Sequence, residues 1–147
     1  MSLEENKAIV RSFFEALNGR NLALLDELMA PDYVDHSHKL HGLEVFKQFL
    51  TMLIKAAPDM HVTIEDIIAE EDKVWVHATA KGTNTGEYHG LAPTGKKITF
   101  TVVDIWRIVD GKVVEGWHVE DHLDLLKQLG VIEYTEKAKK LFPENVT

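Results

Sequence analysis

The sequence predicts an α+β fold, with a curved, mostly antiparallel sheet wrapped by three N-terminal helices around a cone-shaped pocket. Three observations predict it. Apolar residues recur at helical spacing through the first 57 residues. From Met60 the texture changes to alternating runs rich in β-branched residues. Asp110-Gly111 then joins the last two long runs as a two-residue hairpin turn. Helices first and strands after is the order of helices packed on one sheet face. A curved sheet so covered leaves a cavity suited to a small apolar ligand.

The elements follow in order. Ser2 and Glu5 make a capping box. Ile9, Val10, Phe13, Phe14, Ala16 and Leu17 form the stripe of the first helix, which Asn18-Gly19 closes. Asn21 is placed to cap a short second helix, with Leu22, Leu25, Leu28 and Met29 inward and Pro31 as its stop. Tyr33 to His36 reads as extended. A third helix starts near Gly42, carries Phe46, Leu50, Leu53 and Ile54 on one side, and stops at Pro58-Asp59. Met60 to Ala69 and Val74 to Lys81 are strands joined by a polar turn. A loop with four glycines runs from Gly82 to Lys96, with a short strand expected near Tyr88. Lys97 to Val109 and Lys112 to Asp121 are the last long strands. Leu123 to Leu129 is a short helix with Gly130 as its C-cap. Residues 131–147 form a polar tail with a helical turn. No linker or repeat divides the 147 residues, so one domain spanning 1–147 is expected.

Hydrophobic content of 45% and charged content of 27% describe an ordinary globular domain. The net charge of −8, from 24 acids against 16 bases, argues against a nucleic-acid partner. The chain has no cysteine, which excludes disulfides, thiolate chemistry and cysteine zinc sites. No apolar run approaches the roughly 20 residues that span a bilayer. A cytoplasmic protein without a membrane partner is expected.

The hairpin carries the chemistry. A two-residue turn at Asp110-Gly111 pairs Ile108 with Val113, Trp106 with Glu115, Asp104 with Trp117 and Phe100 with Asp121. Alternation then puts Asp104, Trp106, Glu115, Trp117 and Asp121 on one face and sends His118 to the other. A β-bulge anywhere in the hairpin would break this register. Three carboxylates and two indoles on one face are costly unless a pocket uses them. Burial raises a carboxyl pKa and suits it to proton exchange with carbon or with an enolate oxygen. Each acid also has a plain structural reading. Glu115 and Asp104 can bind arginine or backbone amides, and Asp121 can be the N-cap of the helix that follows.

Asp35-His36-Ser37-His38-Lys39-Leu40-His41 holds three of the eight histidines. The H-x-H spacing is one that metals use, but no third ligand at a defined distance accompanies it. His36 or His38 is expected as a hydrogen-bond donor to the pocket, with no metal and no cofactor. The glycine-rich loop fits no phosphate-binding motif, because Lys97 stands where a serine or threonine is required and no helix follows. It reads as a mobile rim. Phe13-Phe14 and Phe46-Phe49 read first as core, with Phe14 also reaching the pocket wall. Tyr33 joins it there from the extended segment.

At these residues the chain resembles the SnoaL-like polyketide cyclase family, within the wider group of nuclear-transport-factor-2-like cone folds. The resemblance runs through Asp32-Tyr33-Val34-Asp35-His36, Pro58-Asp59, Gly82-Thr83, Gly86, Gly90 and Pro93-Thr94-Gly95-Lys96. It continues through Trp106-Arg107-Ile108, Asp110-Gly111-Lys112, Glu115, Trp117, Asp121 and Gln128-Leu129-Gly130. It implies an α+β fold and a metal-free intramolecular aldol condensation. The family's general acid/base aspartate in the final strand maps onto Asp121. The resemblance is weaker toward ketosteroid isomerase, since Phe13-Phe14 stand where a tyrosine is needed and Asp104 only loosely fits the second acid. The Asp-Arg-Asp set of limonene epoxide hydrolase cannot be assembled here.

The leading reading is a cofactor-independent cyclase or isomerase acting on a small polyketide-like or cyclic carbonyl compound. Asp121 is the base, His36 or His38 the donor, and Trp106 and Trp117 the flat walls. A non-catalytic ligand-binding or carrier domain is the alternative, and a hydratase using the same pocket is a third. A homodimer through the convex sheet face is expected, where Thr99, Thr101, Val103 and Ile105 lie.

Overall fold

A computed structural model of the chain describes residues 2–142. Residues 143–147 of the expected tail lie outside the described residues. Helix α1 spans Leu3–Asn18 and begins with the expected capping box: Glu5 N–H donates to Ser2 Oγ at 3.0 Å, and Ser2 N–H to Glu5 Oε2 at 3.1 Å. A 3₁₀ turn over Leu22–Leu24 leads into α2, Leu25–Leu28. The Asn21 side chain makes no cap bond there. Pro31 does not end α2, because strand β1, Met29–Asp35, starts ahead of it and contains it. Strand β2 is Leu40–His41, and α3 is Leu43–Ala56. Strands β3, His61–Glu70, β4, Lys73–Thr83, β5, Lys97–Val109, and β6, Lys112–Glu120, follow. Helices α4, His122–Gln128, and α5, Glu136–Leu141, close the chain.

The six strands form one curved sheet in the order β2-β1-β6-β5-β4-β3. β1 runs parallel to β6, and every other pairing is antiparallel. Helices α1 and α3 cover one face. Val74, Val76, Ala78 and Ala80 on β4 point into it, each 1% exposed or less. Their alternate neighbours point out. Phe13 and Phe14 of α1 meet Trp106 of β5, the Phe13 and Trp106 ring centres lying 4.6 Å apart, and Phe46 of α3 stacks on Phe13. Burying each such ring contributes about 1.5–3 kcal/mol.

Two polar devices hold this core to the loops. Asn18, at the end of α1, exchanges both amide bonds with the Val62 backbone at 2.9 Å and so ties α1 to β3. Asn84 is buried and knots the long loop before β5. Its Nδ2 donates to Ala56 and Gly86 carbonyls, and its Oδ1 accepts from Thr94 N–H and Oγ1–H. Within that loop the expected short strand is a single bridge, Tyr88 to Leu91.

The β5–β6 hairpin turns where expected. Asp110 and Gly111 both have positive φ, at 50° and 77°, as a two-residue turn of this hand requires. Ile108 pairs with Val113 as predicted. One residue later the register shifts. Val114 bulges out, Arg107 pairs with Glu115, Trp106 with Gly116, and Asp104 with His118. Every β6 side chain beyond the bulge therefore sits on the face opposite to the one predicted.

Candidate active site

The covered face opens into a cavity of about 410 Å³. Its walls are the rings of Phe13, Phe14, Phe46, Phe49 and Trp106, with aliphatic side chains of α3, β4 and α4. Among the described residues no lysine or arginine lines it. Asn84, Tyr88 and His89 of the long loop and His122 of α4 lie on its wall, and its innermost polar groups converge from three strands. β1 turns Asp35 to the cavity and Tyr33 to the packed layer behind it, both 0% exposed. β5 contributes Asp104, and β6, through the bulge, contributes His118 and Glu120.

The turn after β1 brings a further group. Asp35 Oδ1 accepts from the Ser37 and His38 amides at 3.0 and 3.1 Å, an Asx-type turn that curls the chain back. The curl sets the His38 ring against the same carboxylate, with Nδ1 2.8 Å from Asp35 Oδ2. His38 Nε2 lies 3.3 Å from Glu120 Oε1. Hydrogen bonds from Asp35 and then Glu120 push His38 up to about 10, against burial. This ring is an imidazolium at neutral pH. Burial alone would raise Asp35 and Glu120, but the His38 bond holds both below the usual carboxylate range, helped at Asp35 by the His118 charge.

His118 is gripped on three sides. Its Nδ1 lies 2.7 Å from Asp104 Oδ1, its Nε2 2.9 Å from the Tyr33 hydroxyl, and its backbone N–H donates to Ser37 Oγ at 2.8 Å. Burial works to lower this imidazole, and the charge and hydrogen bond of Asp104, with Asp35 behind them, outweigh it and raise it. Burial and the Asp35 and Asp104 charges raise the Tyr33 phenol, which stays protonated. Asp104 Oδ2 carries no hydrogen bond among the described residues, and Asp104 forms part of the cavity wall. The site thus holds two imidazole–carboxylate pairs at the polar end of an apolar chamber.

Of the sequence-predicted residues, His38, Asp104, Trp106 and Phe14 line the cavity. Tyr33 sits directly behind it on His118. The bulge moves the others away. Glu115 lies on the opposite face, paired with Arg107 and, at 2.6 Å, with His36 Nε2. Those partners hold its pKa low, the His36 bond most of all. Trp117 stacks on His36 at 4.8 Å on that same outer face, so neither Trp117 nor His36 reaches the cavity. Asp121 is exposed and caps α4, accepting from Asp124 N–H at 3.3 Å, and it is absent from the cavity wall. His118, which the unbulged register sends to the outer face, lines the cavity, and so do Asp35 and Glu120, which sequence reasoning does not reach. Their signal was electrostatic: the unbulged register strands three acids on one face, whereas the shifted one gives Asp104 an imidazole partner.

Among the described residues, no group of three or more histidine or acidic side chains is arranged to hold a metal ion. No helix among them is long and apolar enough to cross a membrane.

A covered mixed sheet enclosing an acid/base cavity defines the class. The sequence model of the SnoaL-like polyketide cyclase family matches residues 7–129, and the chain belongs to that family. It is 32% identical to the aklanonic acid methyl ester cyclase DauD of Streptomyces sp. strain C5, over 73% of this chain and 67% of that one. It is 29% identical to the nogalonic acid methyl ester cyclase of Streptomyces nogalater, over 72% and 83%. Among solved structures, AclR of Streptomyces galilaeus superposes with a TM-score of 0.81 at 33% identity, covering 90% of this chain and all of that one.

Proposed function

We propose that this chain catalyses intramolecular aldol cyclisation, or the simpler proton transfer alpha to a carbonyl, on a small polyketide-like compound. One observation carries the reading beyond family membership. Asp104 offers an oxygen free of protein partners to an apolar cavity that also holds the His38 imidazolium. Asp104 is the base. Its Oδ2 takes the proton from the carbon alpha to a carbonyl, while the His118 bond at Oδ1 holds the carboxyl group in place. The resulting enolate carbon attacks a second carbonyl of the same molecule. The new C–C bond leaves an alkoxide, which takes a proton from His38. Asp104 then gives its proton to solvent and His38 regains one from it, which completes the cycle with no net proton change. A positioned acid or base supplies about 10²–10⁴-fold, and the desolvated donor adds to it. These steps call for no cofactor.

The two cyclases named above act on methyl esters by name. An ester-capped substrate suits a cavity without a lysine or arginine on its wall. The test is turnover of aklanonic and nogalonic acid methyl esters, followed by mass spectrometry of the product. Asp104→Asn is expected to lose about 10²–10⁴-fold. A folded Asp104→Asn protein with undiminished turnover would sink the assignment, and saturable binding without any turnover would favour the carrier reading.

The open face of the sheet supports a homodimer. Ile68, Trp75, Ile105 and Trp117 lie in one row across four strands, and Ile68 and Trp75 are 60% and 46% exposed.

A further inference from the structure

We infer that Tyr33 is a positioning residue: its hydroxyl occupies His118 Nε2, so that His118 exchanges protons with the cavity only through Asp104, and Gly116 lacks a side chain in order to admit that hydroxyl. The inference rests on the reading of Asp104 as the base.

Tyr33 is fully buried, lies outside the cavity wall, and places its hydroxyl 2.9 Å from Nε2. The opposite ring nitrogen is held by Asp104 and the backbone by Ser37. Trp106, edge-on at 4.6 Å, and Phe46, stacked at 5.9 Å, leave the ring little room to turn. Both nitrogens of His118 are therefore taken within the protein. The Tyr33 hydroxyl also separates two proton-carrying pairs. Asp35 Oδ2, the partner of His38, is only 3.7 Å from Nε2. With the hydroxyl in place, Nε2 has a nearer neighbour than Asp35, and the base pair Asp104–His118 stays apart from the donor pair Asp35–His38. The charged and titratable groups around the ring are Asp104 from β5, Tyr33 and Asp35 from β1, His38 from the turn after β1, and Glu120 on its own strand.

Gly116 shows that this contact is built. It pairs with Trp106 on one side and with Asp35 on the other, in mid-strand, where glycine ordinarily weakens a sheet. A Cβ at this position would lie 2.4 Å from the Tyr33 hydroxyl and 3.0 Å from His118 Nε2. Any side chain here expels the hydroxyl from the ring.

The test is the titration of His118 by ¹⁵N-histidine NMR in wild type, Tyr33→Phe, Gly116→Ala and the double variant, beside the pH profile of turnover. A hydrogen bond to a charged group is stronger than one to its neutral form. Removing the hydroxyl therefore weakens proton binding at His118 by about tenfold, a fall of about one unit in its midpoint. Gly116→Ala moves the midpoint the same way. The double variant moves little further, because the group the methyl displaces is already gone. An unchanged midpoint in Tyr33→Phe overturns the proposal, and that variant carries the test alone if Gly116→Ala does not fold. Additive shifts in the double variant also overturn the role given to Gly116. The NMR readout is independent of turnover. A wild-type protein inert toward both esters, with the shifts as expected, refutes the cyclase reading and leaves the Tyr33–His118 coupling standing.

Discussion

Replacing His38 by glutamine tests how strongly one imidazolium holds the polar end of the cavity together. The side chain bridges a carboxylate that is 0% exposed, Asp35, to the rim acid Glu120. Its folded pKa of about 10 lies above the unfolded 6.5. Its contribution to stability is therefore complete below pH 6.5 and is lost as pH rises through 10. At 1.36 kcal/mol per unit the ceiling is about 5 kcal/mol. The ring is 23% exposed, and solvent screening reduces this to about 2–3 kcal/mol. His38→Gln keeps one amide donor for Asp35 but removes the charge. In a domain of this size each kcal/mol moves the melting temperature by about 2–4 °C. Calorimetry of both proteins should show a gap of about 5–10 °C at pH 7 that closes as pH approaches 10. The gap should also shrink in strong acid. There Asp35 and Glu120, whose folded values are depressed, lose their contribution as they protonate. A gap that stays constant between pH 6 and 10.5 would refute the assignment of the charge to His38.

Three further outcomes are expected. Gly86→Ala would put a Cβ 1.8 Å from the Lys55 carbonyl oxygen at the end of α3. It should destabilise the protein by about 1–3 kcal/mol in urea titration, and a neutral result would show that the loop is not pinned there. Asp121→Ala removes only a long capping bond of 3.3 Å. It should cost about 0.5–1 kcal/mol with turnover intact, and a large loss of turnover in a folded protein would return Asp121 to the chemistry. If the proposed homodimer forms, Trp75→Asp places a charge in the apolar row on the open sheet face and should give a monomer in light scattering, while a wild-type monomer or an unaltered variant dimer would refute that interface.

Periodicity made the helices and strands legible, because helix stripes and strand alternation are set by the backbone whatever the tertiary context. The Ser2–Glu5 box, the Gly42 start of α3 and the Asp110-Gly111 turn each obey short-range stereochemistry. The site depended on a longer inference, the pairing of residues 104–106 with 115–118. A single bulge at Val114 inverts every assignment beyond it, and Val113-Val114 carry no residue-level mark of one, both being ordinary strand formers. Asp104, Trp106 and Phe14 were recoverable because they lie outside the bulged stretch. His38 was recoverable because its turn follows directly from Asp35. Asp121 and Trp117 leave the cavity face for one reason, the extra residue between them and the turn.

The bulge also says where this chain can change length. Val114 is the one residue of β6 between Val113 and Glu120 that has no partner on β5. Its deletion would regularise the hairpin and leave Gly116, His118 and Glu120 on the faces they now occupy. Loss of a paired neighbour such as Trp117 would instead carry His118 out of the chamber. Insertions and deletions among descendants of this gene should therefore be tolerated at position 114 and purged within a few residues of it, and sequences aligned across the hairpin should place their gap there.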